Sequence, residues 1–309
     1  MERITHLLPV RNGEAFISRA VAQIIGSFTD GDEIIIVDDG STDNTVRIIN
    51  AIDTSNCEIN LISSKGNGLA VALNLGLRMA SNHWVARYDV DDRYRPDRVS
   101  LQKQLITSRT GVIFSDYSFW SESNRYLGFS PSPMSNSATI LSLLSSRQTA
   151  HPSALLNRDA VMSVGGYNQD DFPAEDLGLW LRLSRECLLT SVPETLLYYQ
   201  VTKSGVTRSK QQMSLSRKRS LLSAIGLPWG LLESKIPELH STFEAYSRES
   251  NESLRCLLLL MNIKKARRYN SSFPSVREFL LDLTPVGCAK IPNTILNAFY
   301  YQQLRRLIK

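Results

Sequence analysis

The chain has 309 residues, of which 42% are hydrophobic and 21% are charged. This composition is that of a globular protein and excludes a wholly disordered or collagen-like chain. The four cysteines lie far apart without a CxxC pair, which argues against a zinc site or disulfide framework and for reduced thiols in the cytoplasm.

The longest apolar run near the C-terminus, Leu257–Met261, is far shorter than the roughly 18–20 residues of a membrane span. The first residues lack the layout of a signal peptide. We therefore expect a cytoplasmic protein.

The net charge of +5 conceals an uneven distribution along the chain. Residues 1–202 carry 17 Lys and Arg against 23 Asp and Glu, a balance of −6. Residues 203–309 carry 18 against 7, a balance of +11. This split predicts a globular catalytic part followed by a basic part that meets something anionic.

Strand and helix patterns alternate over the first hundred residues. Residues 4–10 predict a strand, and apolar residues at helical spacing between Ile17 and Phe28 predict a helix. The β-branched run Ile34–Val37 is typical of a strand buried on both faces of a parallel sheet. The alternation continues with a helix at 46–52, a strand at 59–63, a helix at 69–77 and a strand at 84–88. Such alternation predicts a mostly parallel α/β sheet with sites at the carboxyl ends of its strands.

The pattern loosens after residue 111. A strand is predicted at 111–120, a helix at Asp176–Cys187 and a strand at Leu196–Val201. After residue 210 the chain is helix-like and basic, with several interrupting prolines.

Two groups of carboxylates follow predicted strands. Asp38 and Asp39 come after the run of isoleucines, and Asp89, Asp91 and Asp92 come after the strand at 84–88. If the two strands are adjacent, both groups lie close together at one edge of the sheet. Hard oxygen ligands suit Mg²⁺ or Mn²⁺, and these ions suit a diphosphate ligand. Acidic residues also cap helices, but two groups in one βαβ chain favour a metal–nucleotide site.

Five segments, in this order and spacing, closely resemble the family 2 glycosyltransferases, which have the GT-A fold: PVRNGE (9–14), VDDGSTDNT (37–45), GLAVALNLGL (68–77), YDVDDRYRPDR (88–98) and GGYNQDDFPAEDLGLWLRL (165–183). The resemblance covers about residues 3–205. It implies an α/β protein with a mostly parallel Rossmann-like sheet flanked by helices, followed by a helical C-terminal extension. The implied catalytic domain is 1–210, with a nucleotide-sugar half at about 1–100 and an acceptor half at about 111–205. A basic helical region, 211–309, follows it.

The resemblance implies a site for a nucleotide-sugar donor, usually a UDP-sugar. Asp39 would hydrogen-bond the base, Pro9 and Val10 would line its pocket, and further donor contacts would come from Asn12, Glu14 and Lys65. Lys65 is also readily explained as a surface lysine.

The resemblance also places Asp89 and Asp91 in the DxD motif of the family. Asp91 would ligate the Mn²⁺ or Mg²⁺ that bridges the two phosphates, and Asp89 would contact the ribose or the metal. Asp92 would either assist them or cap a following helix whose first turn holds Pro96.

Asp176 matches the catalytic aspartate of the family's ED motif. It would take the proton from an acceptor hydroxyl that attacks the anomeric carbon, which inverts that centre. Glu175 would orient the base or the acceptor. His151 would line the acceptor cleft or serve as a structural hydrogen-bonder, and Trp180 would contact the acceptor or pack in the core.

One departure from the family concerns the metal. Many members carry Arg-x-His after the strand that follows the ED helix, with the His as a further metal ligand, whereas this chain has Gln200-Val201-Thr202. The metal is therefore expected to be held mainly by Asp91 and the diphosphate. Basic residues just beyond are alternative phosphate contacts by position and charge: Lys203, Arg208 and Lys210.

The resemblance implies an inverting, metal-dependent transfer to a saccharide or lipid-linked acceptor in bacterial surface polysaccharide or lipopolysaccharide assembly. A sugar-1-phosphate nucleotidyltransferase and a catalytically silent donor-binding module are the alternatives. The absence of GxGxxG after the first strand argues against a dehydrogenase. No motif supports nucleic-acid binding. The last basic segment, with Phe299 and Tyr300, predicts peripheral contact with the anionic inner face of the membrane.

Overall fold

The computed structural model describes residues 2–53, 57–134, 136, 139, 143 and 149–202. The region 211–309 and the basic residues Lys203, Arg208 and Lys210 lie outside the described residues. Their predicted roles therefore stay predictions. Within the part of the chain that is described, no helix is long and apolar enough to cross a membrane.

Strands and helices follow one another in the order that the hydrophobic pattern predicts. The strands are β1 Ile4–Val10, β2 Glu33–Asp38, β3 Ile59–Ser63, β4 Trp84–Arg87, β5 Arg93–Tyr94, β6 Thr110–Ser121, β7 Tyr126–Ser130, β8 Leu155–Asn157 and β9 Leu188–Val201. The helices are α1 Ile17–Ile25, α2 Thr45–Asn50, α3 Leu69–Met79, α4 Arg98–Lys103, α5 Arg158–Ser163 and α6 Glu175–Leu183. Short 3₁₀ turns lie at His151–Ser153 and Gln169–Asp171.

The described strands form one mixed sheet in the order β3-β2-β1-β4-β8-β6-β9-β5, with β7 paired to β6. The first four strands are parallel, which confirms the Rossmann-like half. The second half is mixed, because β8 runs antiparallel to both β4 and β6. β6 therefore runs in the same direction as β4, and β9 is parallel to β6. As a result, β1, β2, β4, β6 and β9 all end at one edge of the sheet.

The central strands are buried on both faces, as the isoleucine run predicts. Leu7 and Ile35 pack in one hydrophobic cluster with α3, whereas Leu8 and Ile36 pack in a second cluster with α1. Alternate residues of a strand point to opposite faces, so each of these strands contributes to both layers. The two layers hold the strand ends in fixed positions at the edge where the site lies.

Three expectations about elements need correction. β1 lies between β2 and β4, so the two acidic groups share an edge but do not follow adjacent strands. β9 begins at Leu188 rather than Leu196, because a register shift opposite Ser115 and Asp116 accommodates Pro193 within the strand. α4 begins at Arg98, after Pro96, so Asp92 does not cap it.

Candidate functional site

Two loops at the ends of β1 and β2 are tied together by the side chains of Asn12 and Glu14. Asn12 has a φ of 53°, and its Oδ1 accepts a hydrogen bond of 2.8 Å from the Thr42 amide. The Glu14 carboxylate accepts one of 3.0 Å from the Asn44 amide. These two predicted donor contacts therefore brace the loops from exposed positions. Asp38 is also bound locally, since it accepts a hydrogen bond of 3.2 Å from the Ser41 amide.

Asp39 is buried at the end of β2 and holds the loop between β3 and α3. Its Oδ1 accepts hydrogen bonds from the Ser64 hydroxyl at 2.6 Å and from the Gly68 amide at 3.1 Å. Pro9 and Val10 end the neighbouring strand β1 and are buried. Lys65 lies on the loop that Asp39 holds and is exposed, with a φ of 59°. The predicted base-binding residues thus share one edge of the sheet.

Three carboxylates after β4 form a tight acidic cluster, which we define as Asp89, Asp91 and Asp92. Each offers one oxygen, and these oxygens lie within 4.8 Å of one another. Asp92 is only 1% exposed. Its Oδ1 accepts a hydrogen bond of 2.7 Å from the Gln200 amide, and its buried Oδ2 has no hydrogen-bond partner. Because Asp92 does not cap α4, its remaining predicted role is to assist Asp89 and Asp91 in the acidic cluster.

The acidic cluster fits a divalent cation. Burial and the negative charge of Asp89 raise the pKa of Asp91 to about 6. Burial and both neighbouring carboxylates raise the pKa of Asp92 as well. Converging hard oxygen donors that repel one another, with one buried oxygen unpaired, are the donor set that Mg²⁺ or Mn²⁺ prefers.

Arg87, the last residue of β4, is a residue of the candidate site that the sequence analysis did not identify. It is 2% exposed, and its Nη1 lies 2.5 Å from Oδ2 of Asp89. Burial acts to lower the pKa of Arg87, but the Asp89 charge outweighs it and raises the pKa above its ordinary value. The positive charge of Arg87 also acts on Asp91 and Glu175. The sequence signal that could have identified it is an arginine within an apolar strand, two residues before the first aspartate of the acidic cluster.

Arg98 fixes the end of the strand that carries Arg87. Its guanidinium lies over the rings of Tyr88 and Tyr94, at 4.6 Å and 4.8 Å from their centroids. It donates hydrogen bonds to the carbonyl oxygens of Arg87 at 2.9 Å and Ala154 at 3.1 Å. A buried cation that bridges two main-chain carbonyls holds β4 against the segment before β8.

Glu175 and Asp176 open helix α6, where a helix dipole favours carboxylates. Glu175 is 5% exposed, and its Oε2 has no hydrogen-bond partner. Burial and the Asp176 charge raise the pKa of Glu175 to about 7. The Asp89 charge acts in the same direction. The acidic cluster and the Glu175–Asp176 pair therefore influence each other electrostatically, and the charge of Arg87 acts on both.

His151 and Trp180 are buried beside these acids. The His151 Nε2 hydrogen-bonds the Tyr167 hydroxyl at 2.8 Å, and burial lowers the pKa of His151. Trp180 is 1% exposed and packs edge-on against Phe114 and His151. The Trp180 ring presents no surface to a saccharide, and His151 supports the core by its hydrogen bond to Tyr167.

The place where many family members have Arg-x-His also lies beside the acidic cluster. The contact there comes from the main-chain amide of Gln200, which binds Asp92. The Gln200 side chain is buried, and its Nε2 has no hydrogen-bond partner. The end of β9 thus closes one side of the acidic cluster.

Curated relatives resemble this chain over most of its length. An uncharacterized glycosyltransferase of Haemophilus influenzae is 26% identical over 229 residues, which are 72% of this chain and 86% of that relative. The Escherichia coli UDP-Glc:alpha-D-GlcNAc-diphosphoundecaprenol beta-1,3-glucosyltransferase WfaP is 28% identical over 238 residues, which are 74% of this chain and 88% of the relative.

Solved structures share the fold at lower identity. S. aureus TarS 1–349 in complex with UDP-GlcNAc has a TM-score of 0.62 at 14% identity, over 99% of this chain and 90% of that one. The mannosyltransferase PcManGT from Pyrobaculum calidifontis, in complex with GDP-Man and Mn²⁺, has a TM-score of 0.56 at 18% identity, over 99% of this chain and 84% of that one. The GT-A fold is thereby confirmed. The family model described as Glycosyl transferase family 2 matches residues 6–164, and the chain belongs to this family of glycosyltransferases.

Proposed function

We propose that this glycosyltransferase moves a sugar, with inversion, from a UDP-sugar to a hydroxyl of a saccharide or lipid-linked saccharide. One observation carries the proposal: the charge of Asp89 in the acidic cluster acts on Glu175, and Arg87, which pairs with Asp89 at 2.5 Å, acts on Glu175 as well. The family assignment favours sugar transfer over the nucleotidyltransferase alternative.

The nucleotide would bind where β1 and β2 end. Asp39 is held by the Ser64 hydroxyl and the Gly68 amide, so its carboxylate has a fixed position for a base. Asn12 and Glu14 would act on the donor through the loops that they brace. Complexes of TarS with UDP-GlcNAc and of PcManGT with GDP-Man, and the UDP-Glc in the name of WfaP, support a nucleotide-sugar donor.

Asp91 and Asp89 would hold a Mg²⁺ or Mn²⁺, supported by Asp92. A cation bound there would neutralise charge that develops on the leaving diphosphate. Arg87 holds Asp89 by an ion pair and keeps its carboxylate oriented. The complex of PcManGT with Mn²⁺ supports a divalent ion.

Asp176 would accept the proton from the attacking acceptor hydroxyl. Glu175, with a pKa raised to about 7, would orient that hydroxyl from its buried position. A single displacement from the side opposite the diphosphate inverts the anomeric centre, so an α-linked donor gives a β-linked product.

The acceptor would be a saccharide or lipid-linked saccharide of bacterial surface polysaccharide or lipopolysaccharide assembly. WfaP, by its name, acts on a diphosphoundecaprenol-linked GlcNAc. The excess of 18 basic over 7 acidic residues in 203–309 supports peripheral contact with the anionic membrane surface that carries such lipids.

Calorimetric titration of the full chain with UDP-glucose, UDP-N-acetylglucosamine and GDP-mannose, in Mg²⁺ or EDTA, tests this donor and metal site. We expect one UDP-sugar to bind in Mg²⁺ and to bind at least about tenfold more weakly in EDTA. Asp91→Asn should lose the Mg²⁺ effect, whereas Asp159→Asn, at an exposed surface carboxylate, should keep it. Equal binding in Mg²⁺ and EDTA would contradict the metal site, and binding of none of the donors would contradict the function.

A further inference from the structure

An aromatic row, which we define as Tyr198, Trp120 and Tyr126, crosses the last residues of β9 and β6 and the first residue of β7. The ring centroids of Trp120 and Tyr198 lie 6.2 Å apart, and those of Trp120 and Tyr126 lie 5.7 Å apart. Both pairs meet edge to face. Tyr126 is 55% exposed, and the other two side chains are partly exposed. Phe129, also exposed, lies opposite Ser118 and borders the row.

The aromatic row is continuous with the acidic cluster. The Gln200 amide binds Asp92, Trp120 is the register partner of Gln200, and Tyr126 is the register partner of Trp120. Neighbouring strands lie about 4.8 Å apart, so the row leads away from the cluster over about 10 Å. That length matches about two pyranose units, not a single one.

Strand β6 also connects the aromatic row to the proposed base. Tyr117 lies three residues before Trp120 on this strand. Phe114 of this strand packs at 5.1 Å against Trp180 of α6, the helix that begins with Glu175 and Asp176, and the charge of Asp176 adds to the pKa increase that burial causes at Tyr117. At about 3.3 Å per residue, Trp120 lies about 10 Å farther along β6 than Tyr117, with its side chain on the opposite face of the sheet.

Polar groups accompany the rings, which favours a saccharide over a lipid chain. The Trp120 indole donates a hydrogen bond of 2.8 Å to the Ser118 hydroxyl, which fixes the ring. Arg93, the register partner of Tyr198, donates to Asn124 in the turn before β7. The faces of pyranose rings are apolar and their rims carry hydroxyls, so they suit aromatic rings that have hydrogen-bonding neighbours.

We propose that the aromatic row is a stacking platform for the saccharide part of the acceptor, beyond the sugar unit that receives the transfer. The inference rests on the proposed function and deepens it, because it assigns an acceptor subsite to side chains outside the acidic groups. It also implies that the enzyme prefers an oligosaccharide acceptor to a monosaccharide.

Saturation-transfer NMR titrations of the full chain, with Mg²⁺ and UDP present, test this platform. The probes are glucose, N-acetylglucosamine, cellotriose and triacetylchitotriose. We expect the wild type to bind at least one trisaccharide about tenfold more tightly than its monosaccharide. Trp120→Ala and Tyr126→Ala should each abolish this preference, and Trp120→Phe should restore part of it. Leu127→Ala is the matched control, since Leu127 is an exposed residue of β7 that falls between the register pairs.

The outcomes separate the platform from the proposed function. No length preference in the wild type, or the same preference in Tyr126→Ala, would overturn the platform. If Tyr126→Ala lowered binding to phosphatidylglycerol vesicles and left the trisaccharide preference intact, the row would be a lipid contact instead. UDP affinity, measured in the same samples, reports on the donor site: absence of UDP binding in the wild type contradicts the proposed function, whatever the saccharides do.

Discussion

Arg87 places a buried positive charge among carboxylates that would otherwise repel one another. Its Nη1 lies 2.5 Å from the Asp89 carboxylate, and its positive charge acts to lower the pKa of Glu175, against the effects of burial and Asp176. Because the partly exposed Asp89 would then lack its partner beside Asp91 and Asp92, we expect Arg87→Met to lower the free energy of unfolding by about 1–3 kcal/mol. Guanidinium denaturation measures this loss, and Arg87→Lys should recover part of it. Arg78→Met, at an exposed arginine of α3, is the control, and an equal loss in both Met variants would contradict the role of Arg87.

Glu175 makes stability depend on pH. Its native pKa of about 7 lies above the ordinary value of 4.5, so the native state binds more protons than the unfolded state between these values. Stability from this group is therefore present below about pH 4.5 and is lost as the pH rises through about 7. We compare the free energy of unfolding of Glu175→Gln with that of the wild type at each pH. We expect this difference to favour the variant by about 2–3 kcal/mol more at pH 8 than at pH 4.

Thermal unfolding at pH 4, 6 and 8 without added metal checks the prediction for Glu175. Glu186→Gln, which removes an exposed carboxylate just after α6, is the control. A pH dependence of Glu175→Gln that parallels the wild type would show that the Glu175 carboxyl titrates normally, which would contradict its burial among acids.

At the scale of elements, the loop after β2 packs against the loop between β3 and α3, with no room for a side chain at Gly40. Gly40 has a φ of 75°, and a Cβ there would lie 3.0 Å from the main chain of Gly66. Gly165 has a similar φ of 86°, but a Cβ there meets nothing within 4 Å. In both alanine variants, the left-handed backbone strain should lower the free energy of unfolding by about 1 kcal/mol. The close approach to Gly66 should lower that of Gly40→Ala by about 1–2 kcal/mol more.

Chemical denaturation and UDP titration test this loop contact. Gly40→Ala should also bind UDP more weakly, because Asp39 accepts hydrogen bonds from the loop that Gly66 belongs to. Gly165→Ala should bind UDP like the wild type. Equal stability and equal UDP affinity of the two variants would show that the loops do not need this close approach.

Hydrophobic spacing within short stretches of the sequence predicted individual strands and helices. The run Ile34–Val37 and the leucine spacing of α3 specify a buried strand and its covering helix, and both are confirmed. The convergence of Asp89 and Asp91 followed from their place after a strand. The bond between Asp92 and Gln200 joins residues 108 positions apart, so no local pattern could reveal it.

For the whole molecule, the charge split predicts a salt-dependent attraction to anionic membranes. Replacement of Arg305, Arg306 and Lys309 by alanine should weaken binding to phosphatidylglycerol vesicles at least about tenfold, since each basic residue near such a surface contributes about 1 kcal/mol. Vesicle co-sedimentation at low and high salt measures this. The control replaces three exposed arginines of the described domain: Arg78, Arg109 and Arg125. Equal weakening by both triple variants would mean that net charge alone, not the C-terminal segment, attracts the membrane.

The central claim is sugar transfer at the edge that brings together the acidic cluster and the Glu175–Asp176 pair. Its most direct measurement is the release of nucleoside diphosphate from UDP-, GDP- and dTDP-sugars, in Mg²⁺, Mn²⁺ or EDTA, by the wild type, Asp91→Ala and Asp176→Asn. We predict that one UDP-sugar is turned over by the wild type in the presence of metal, that EDTA and Asp91→Ala abolish the release, and that Asp176→Asn binds the donor but loses at least about a hundredfold in rate. Full activity of Asp176→Asn, or donor binding without turnover when saccharide acceptors are supplied, would contradict the account.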